Sequence, residues 1–174
     1  DAGDPERSRS LLERGQTLAQ KLPGSAVKAN LLIGLAQREI ALAAEWPGEQ
    51  AALRANAANL LLEALAAADA VGDPRTASYA LGFLGGVYEE AGRPGEALAM
   101  TRRAAMRAAR ADAPEALYRW QAQSGRLLAA EGKIPEATTA YQHAVDHLQS
   151  LRHRQAWGGE LGASSFETAI LPVY

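Results

Sequence analysis

Apolar residues recur along the chain at the three-and-four spacing of an α-helix, and glycine- and proline-rich breaks interrupt them at short intervals. Between Thr76 and Tyr88, for example, Ala77, Leu81, Leu84, Gly85 and Tyr88 form one helical stripe. Tyr79, Gly82, Gly86 and Glu89 form another on a different face. The breaks divide the sequence into about seven helical stretches. Asp4-Pro5 opens the first, which covers 5–21 and stops at Pro23-Gly24. Ser25 caps the second, reaching Glu45 before Trp46-Pro47-Gly48. The third runs from Glu49 to Val71 and ends at Gly72-Asp73-Pro74. The fourth ends at Gly92, the fifth spans Pro94 to Ala111-Asp112, the sixth spans Pro114 to Gly132, and the seventh runs from Pro135 to Leu151. Proline at helix starts and glycine after helix ends is the expected asymmetry, and connections this short make neighbouring helices antiparallel.

The stretches repeat. Gly92-Arg93-Pro94-Gly95-Glu96-Ala97 returns as Gly132-Lys133-Ile134-Pro135-Glu136-Ala137, an offset of 132 - 92 = 40 residues. Pro74 and Pro114, Ala104 and Ala144, and Leu84-Gly85-x-x-Tyr88 and Ser124-Gly125-x-x-Leu128 share that offset. A fixed period of this size marks stacked helix pairs, none of which can bury its apolar face without a neighbour. The predicted fold is therefore an all-α, right-handed superhelical solenoid of antiparallel helix hairpins. Repeat units cover 25–71, 74–111 and 114–151, after one orphan helix at 5–21. The repeat domain is expected to occupy 1–154. Residues 155–174, with Trp157-Gly158-Gly159 and Gly162-Ala163-Ser164-Ser165, read as a linker or the start of a following element.

Leu84-Gly85-x-x-Tyr88, then Gly92, Ala97 and Ala104, resembles the tetratricopeptide repeat (TPR) pattern, and Gly125, Gly132, Ala137, Tyr141 and Ala144 fall in the same places one unit later. The period of 40 exceeds that family's 34, and Leu81 and Gln121 stand where it usually has Trp. The small residues Gly85, Ala97 and Ala104 are expected to let paired helices approach closely, with Tyr88 and Tyr141 filling gaps between pairs and Leu128 among the repeat-packing residues. The C-terminal run Phe166-Glu167-Thr168-Ala169-Ile170-Leu171-Pro172-Val173-Tyr174 resembles the segment that joins helical repeats to the protease-like domain in bacterial CHAT proteins. That resemblance implies a His/Cys catalytic pair beyond Tyr174 and carries no catalytic residue into this chain. It also implies a bacterial protein, with cytoplasm or periplasm left open.

Composition supports helix and narrows the chemistry. Ala makes up roughly a fifth of the 174 residues and aromatics only 6%, which disfavours sheet. With 18 Lys+Arg against 20 Asp+Glu, the net charge of -2 gives no bulk attraction to nucleic acid. The longest uncharged run, Thr76 to Tyr88, is too short and glycine-rich to span a membrane. The absence of Cys removes disulfides and thiolate chemistry.

His143 and His147 lie four residues apart on one helix face, a feasible two-ligand zinc arrangement needing a third ligand from Asp146 or His153. The plainer reading is a solvated face, and no metal or other cofactor is expected. Arg102, Arg103, Arg107 and Arg110 form a basic stripe that also offsets a helix C-terminus. Glu89-Glu90 are adjacent and cannot converge as a catalytic dyad. Gly82 and Gly86 admit two readings, a bulky side chain from a neighbouring helix or close approach by a ligand backbone. Trp46 and Trp120 are expected at buried helix junctions, and Trp157 under the last helix.

The predicted function is a non-catalytic scaffold that binds a protein or peptide segment on a concave groove. Tyr79, Gly82, Gly86 and Glu89 on the fourth helix, with Arg119, Ala122, Arg126 and Ala129 on the sixth, are the candidate groove residues. Homo-oligomerisation through the same surfaces and a helical metalloprotein using His143 and His147 are the rival classes.

Overall fold

The computed structural model describes the backbone of residues 5–157 and the side chains of 7–154. Seven α-helices occupy that span: α1 (Pro5–Gln20), α2 (Ala26–Glu45), α3 (Gln50–Ala70), α4 (Pro74–Glu90), α5 (Pro94–Arg110), α6 (Pro114–Ala130) and α7 (Ile134–Trp157), with one 3-10 turn at Pro47–Glu49. α7 runs further than its sequence signals suggest. The seventh helix, expected to end at Leu151, continues to Trp157, because nothing between Leu151 and Trp157 is a helix breaker and the first glycine is Gly158. The C-terminal run Phe166 to Tyr174 lies outside the described residues.

Four of the connections are one motif repeated every 20 residues, half the period seen in the sequence. Gly72, Gly92, Asp112 and Gly132 all have positive φ, at 65°, 70°, 46° and 75°. In each case the next residue's N–H reaches back to a carbonyl five residues earlier: Asp73 to Ala68 (2.9 Å), Arg93 to Tyr88 (2.9 Å), Ala113 to Ala108 (3.0 Å) and Lys133 to Leu128 (2.9 Å). This Schellman closure satisfies carbonyls that the helix end leaves open. Pro74, Pro94 and Pro114 then start the next helix, where a missing N–H costs nothing. Asp73 and Ser25 add side-chain caps, accepting from the Thr76 N–H (3.0 Å) and the Lys28 N–H (3.1 Å).

With such turns, α2/α3, α4/α5 and α6/α7 form antiparallel hairpins that stack on one another through α3–α4 and α5–α6, an all-α helical-repeat solenoid. α2 also touches α4, and α4 touches α6, with no comparable α3–α5 or α5–α7 packing among the described residues. The even-numbered helices therefore crowd along the inner side of the stack. Small residues make these approaches close: Ala64, Ala77, Ala80, Ala97, Ala104, Ala108 and Ala116 are fully buried. α1 packs on α2 through Leu12 and Ala19 and leaves Leu11 and Leu18 exposed.

The repeat residues take distinct places. Leu84 is buried in a cluster shared by α2, α3 and α4. Ala97, Leu128 and Ala137 meet in one joining α5, α6 and α7, and Ala104 in one joining α4, α5 and α6. Tyr88 is half-buried against two of these clusters, with the Arg93 guanidinium 4.6 Å from its ring centroid. Ala144 is buried on α7. A Cβ on Gly85 would sit 2.6 Å from Thr101 Oγ1 and 3.1 Å from the Ala97 carbonyl oxygen, so α4 and α5 meet backbone to backbone there. Tyr141 departs from expectation. It does not fill a gap between hairpins but lies 2.8 Å from where a Gly125 Cβ would be, within the α6/α7 hairpin, and stays 41% exposed. α7 is the last described helix, and no later hairpin among the described residues covers that ring. Gly92 and Gly132 serve the turns, as above. Among the described residues no helix is long and apolar enough to cross a membrane.

Candidate functional site

On the inner side, Ile40 from α2, Phe83 and Gly86 from α4, and Arg119, Ala122 and Arg126 from α6 line a cleft of about 420 Å³. Its floor is a network of buried polar groups tying three helices together. Trp120 Nε1 donates to Ser78 Oγ (2.8 Å), and Ser78 Oγ donates to the Ala104 carbonyl (2.8 Å). Gln123 Nε2 donates to the Gly82 carbonyl (3.2 Å) and to Thr101 Oγ1 (3.0 Å), while Thr101 Oγ1 donates to the Ala97 carbonyl (2.7 Å). Ser78, Thr101, Gln123 and Trp120 are all buried, and a satisfied network of this kind holds α4, α5 and α6 in one register. A side chain at Gly85 would enter it, 2.9 Å from Gln123 Nε2.

The two glycines that looked alike in the sequence differ here. A Cβ on Gly82 would lie 2.3 Å from the Trp120 ring, whereas one on Gly86 would meet nothing within 4 Å. Gly82 is thus a packing glycine at the cleft floor. It lines the cleft as expected, and of the two readings open to it the structure favours a bulky side chain from a neighbouring helix, because the Trp120 indole fills the space beside it. Gly86 alone leaves helix backbone open to the cleft.

Tyr79, expected in the groove, is not among the residues that line the cleft. Its ring stacks with Phe83 (centroids 6.2 Å apart) and meets Trp120 edge-on (5.9 Å), and Phe83 meets Trp120 edge-on at 5.7 Å. This aromatic cluster half-buries Tyr79 beside the cleft wall. Burial raises the Tyr79 phenol above its ordinary value, aided by Glu115 and opposed by Arg119 and Arg75, so it stays neutral. Ala129 also differs from expectation, packing against the α5/α6/α7 cluster instead of lining the cleft. Glu89 is not a cleft-lining residue either but holds Arg126 at the cleft's edge. Arg126 donates from Nε and Nη2 to the two Glu89 oxygens, at 2.8 and 2.9 Å. That bidentate contact holds the guanidinium above its ordinary pKa against the opposing effect of burial. Arg54 and Arg75 pair with Glu90 and Glu115, each at 3.1 Å.

Sequence reasoning missed Phe83, Trp120 and Gln123 as the makers of this site. The available signal was polarity on an apolar stripe: Ser78, Thr101 and Gln123 occupy positions that periodicity assigns to the interior.

Trp46, expected at a buried junction, is half-buried, and the side chain of Trp157 lies outside those described. Arg107 pairs with Asp69 at 3.0 Å, and Arg102, Arg103 and Arg110 are exposed on α5. His143 is exposed and lines an outer cleft of about 460 Å³ with Arg102 and Met106. His147 is half-buried, its pKa lowered first by burial and then by His143, against Asp146. Among the described residues no group of three or more His, Cys, Asp or Glu is placed to hold a metal ion. No protein-family model matches the chain, and no curated protein matches its sequence.

Proposed function

We propose that this chain is a non-catalytic, tetratricopeptide-like interaction module that binds a protein or peptide segment along the face formed by α2, α4 and α6. The observation that carries the reading is the cleft across those three helices. It lies in the size range of pre-formed ligand sites, has bare backbone at Gly86, an aromatic wall at Phe83 and charged groups at Arg119 and Arg126. Side-chain networks beneath it stiffen the floor, which lowers the ordering cost of binding. The resemblance of Phe166 to Tyr174 to the CHAT junction extends the proposal: the module would be the sensor or regulatory part of a bacterial protease-like protein. This extension rests on fold-level and motif analogy.

The test is a screen of a random peptide library against the purified chain, followed by affinity measurements on selected peptides. Gly86→Leu and Ala122→Leu fill the cleft without displacing the floor and should weaken binding at least about tenfold. Arg126→Ala should weaken it by about 1–3 kcal/mol where the peptide carries an acidic group. If substitutions at Arg103 and Arg110 abolish binding while Gly86→Leu and Ala122→Leu leave it unchanged, the outer face is the working surface. A second reading, self-association, is favoured by Leu11, Leu18 and Val27, 58–71% exposed at one end of the stack. Light scattering across a concentration series separates it from a monomer.

A further inference from the structure

At the α1 end of the stack, α1, α2 and α3 form a partly open cavity of about 250 Å³ whose walls include Leu12, Trp46 and Leu53. Glu39 of α2 lines it and is only 3% exposed. One of its oxygens, Oε1, accepts from Gln16 Nε2 at 3.3 Å, and the other, Oε2, has no partner. Burial raises the Glu39 pKa, with Arg9 acting the other way. Arg9 itself is bonded to Glu49, and Glu13 also lines the cavity, so the lining carries three carboxylates against one guanidinium.

A buried carboxylate with an unpaired oxygen must gain a proton, water or a cation. The space exceeds the roughly 30 Å³ share of a single water. Leu12, Ala52 and Leu53 offer apolar contact for a methylene stem among the polar lining, and the Trp46 indole adds an aromatic surface that attracts cations. The absence of a three-ligand group among the described residues turns the choice from a metal ion to an organic cation. We propose that this cavity binds a primary alkylammonium group, with Glu39 Oε2 as its acceptor and counter-ion. The source is a free small amine or a lysine side chain, which share that chemistry. The proposal is independent of the inner cleft.

The experiment is an NMR titration of the chain in phosphate buffer with n-butylammonium chloride. n-Butanol serves as the neutral isostere, sodium chloride as the ionic-strength control, and Nα-acetyl-lysine methylamide as the side-chain source. Saturable shifts confined to amides of α1, α2 and the start of α3 are expected with butylammonium and not with butanol. Glu39→Gln and Glu39→Leu should lower the affinity at least about tenfold while amides of α6 keep their positions, which reports an intact fold. Binding of the lysine derivative as well as butylammonium assigns the source to a side chain, and binding of butylammonium alone assigns it to a free amine. The proposal is overturned by any of three results: no saturable shift at millimolar amine, equal response to butanol or sodium chloride, or unchanged affinity in Glu39→Gln with the fold intact.

Discussion

Replacing Gly82 and Gly86 by alanine, one at a time, should move stability in opposite directions although the two sit four residues apart on one helix. Both substitutions gain about 1 kcal/mol of helix propensity. At Gly86 nothing opposes that gain, because the added methyl meets no atom within 4 Å, and Gly86→Ala should be about 1 kcal/mol more stable than the parent. At Gly82 the methyl would fall 2.3–2.4 Å from three carbons of the Trp120 ring. That ring is 3% exposed, wedged between Tyr79 and Phe83, and pinned by its 2.8 Å bond to Ser78, so it cannot swing away freely. Overpacking of this kind costs about 1–3 kcal/mol. Displacing the indole far enough to break its bond adds about 1–3 kcal/mol for the buried N–H left without a partner. The net expectation for Gly82→Ala is a loss of about 1–5 kcal/mol, and so a gap of about 2–6 kcal/mol between the two variants. Urea unfolding followed by far-ultraviolet circular dichroism measures the gap, and a red shift of native tryptophan emission would report the displaced indole. If the variants agree within about 1 kcal/mol, the account of Trp120 as the filler of the Gly82 notch is wrong.

Three further outcomes follow from the same geometry. Gly92→Ala places a Cβ at φ 70° and should cost about 1–2 kcal/mol, read as a lower urea midpoint. Trp120→Phe keeps most of the aromatic packing but removes the donor to Ser78, and should cost about 1–2 kcal/mol; a Ser78→Ala, Trp120→Phe double variant tests whether the two losses are coupled. Glu39 has a folded pKa above its ordinary value near 4.5, so the native state binds the proton more tightly. Its contribution is therefore most favourable below that value and falls as pH rises through the raised folded value. In amine-free buffer the melting temperature of Glu39→Gln relative to the parent should accordingly climb from pH 4.5 toward neutrality, and a flat difference would contradict the assigned burial.

Helix number, order and most boundaries were legible in the amino-acid sequence, because Pro74, Pro94, Pro114 and the glycines at 72, 92 and 132 act through local backbone geometry that needs no distant partner. The hairpin pairing followed from connections too short for any other path. The 20-residue turn period is masked in the sequence, where Asp112 replaces glycine and Pro135 shifts by one, and it is the shared positive φ values that reveal it. What only the tertiary structure decided was the use of each face. Gly82 and Gly86 have equivalent local sequence, and they differ because Trp120, 38 residues after Gly82, packs on one and not the other. Tyr79 reads as a groove anchor until Phe83 and Trp120 close around it. Glu39 shares a helical stripe with Leu32, Ala36 and Ala43, but only the packing of α1 on α2 shows that its carboxylate leaves water. Each of those outcomes depends on which residue a neighbouring helix delivers to a given point in space, and the periodicity of a single helix carries no record of that.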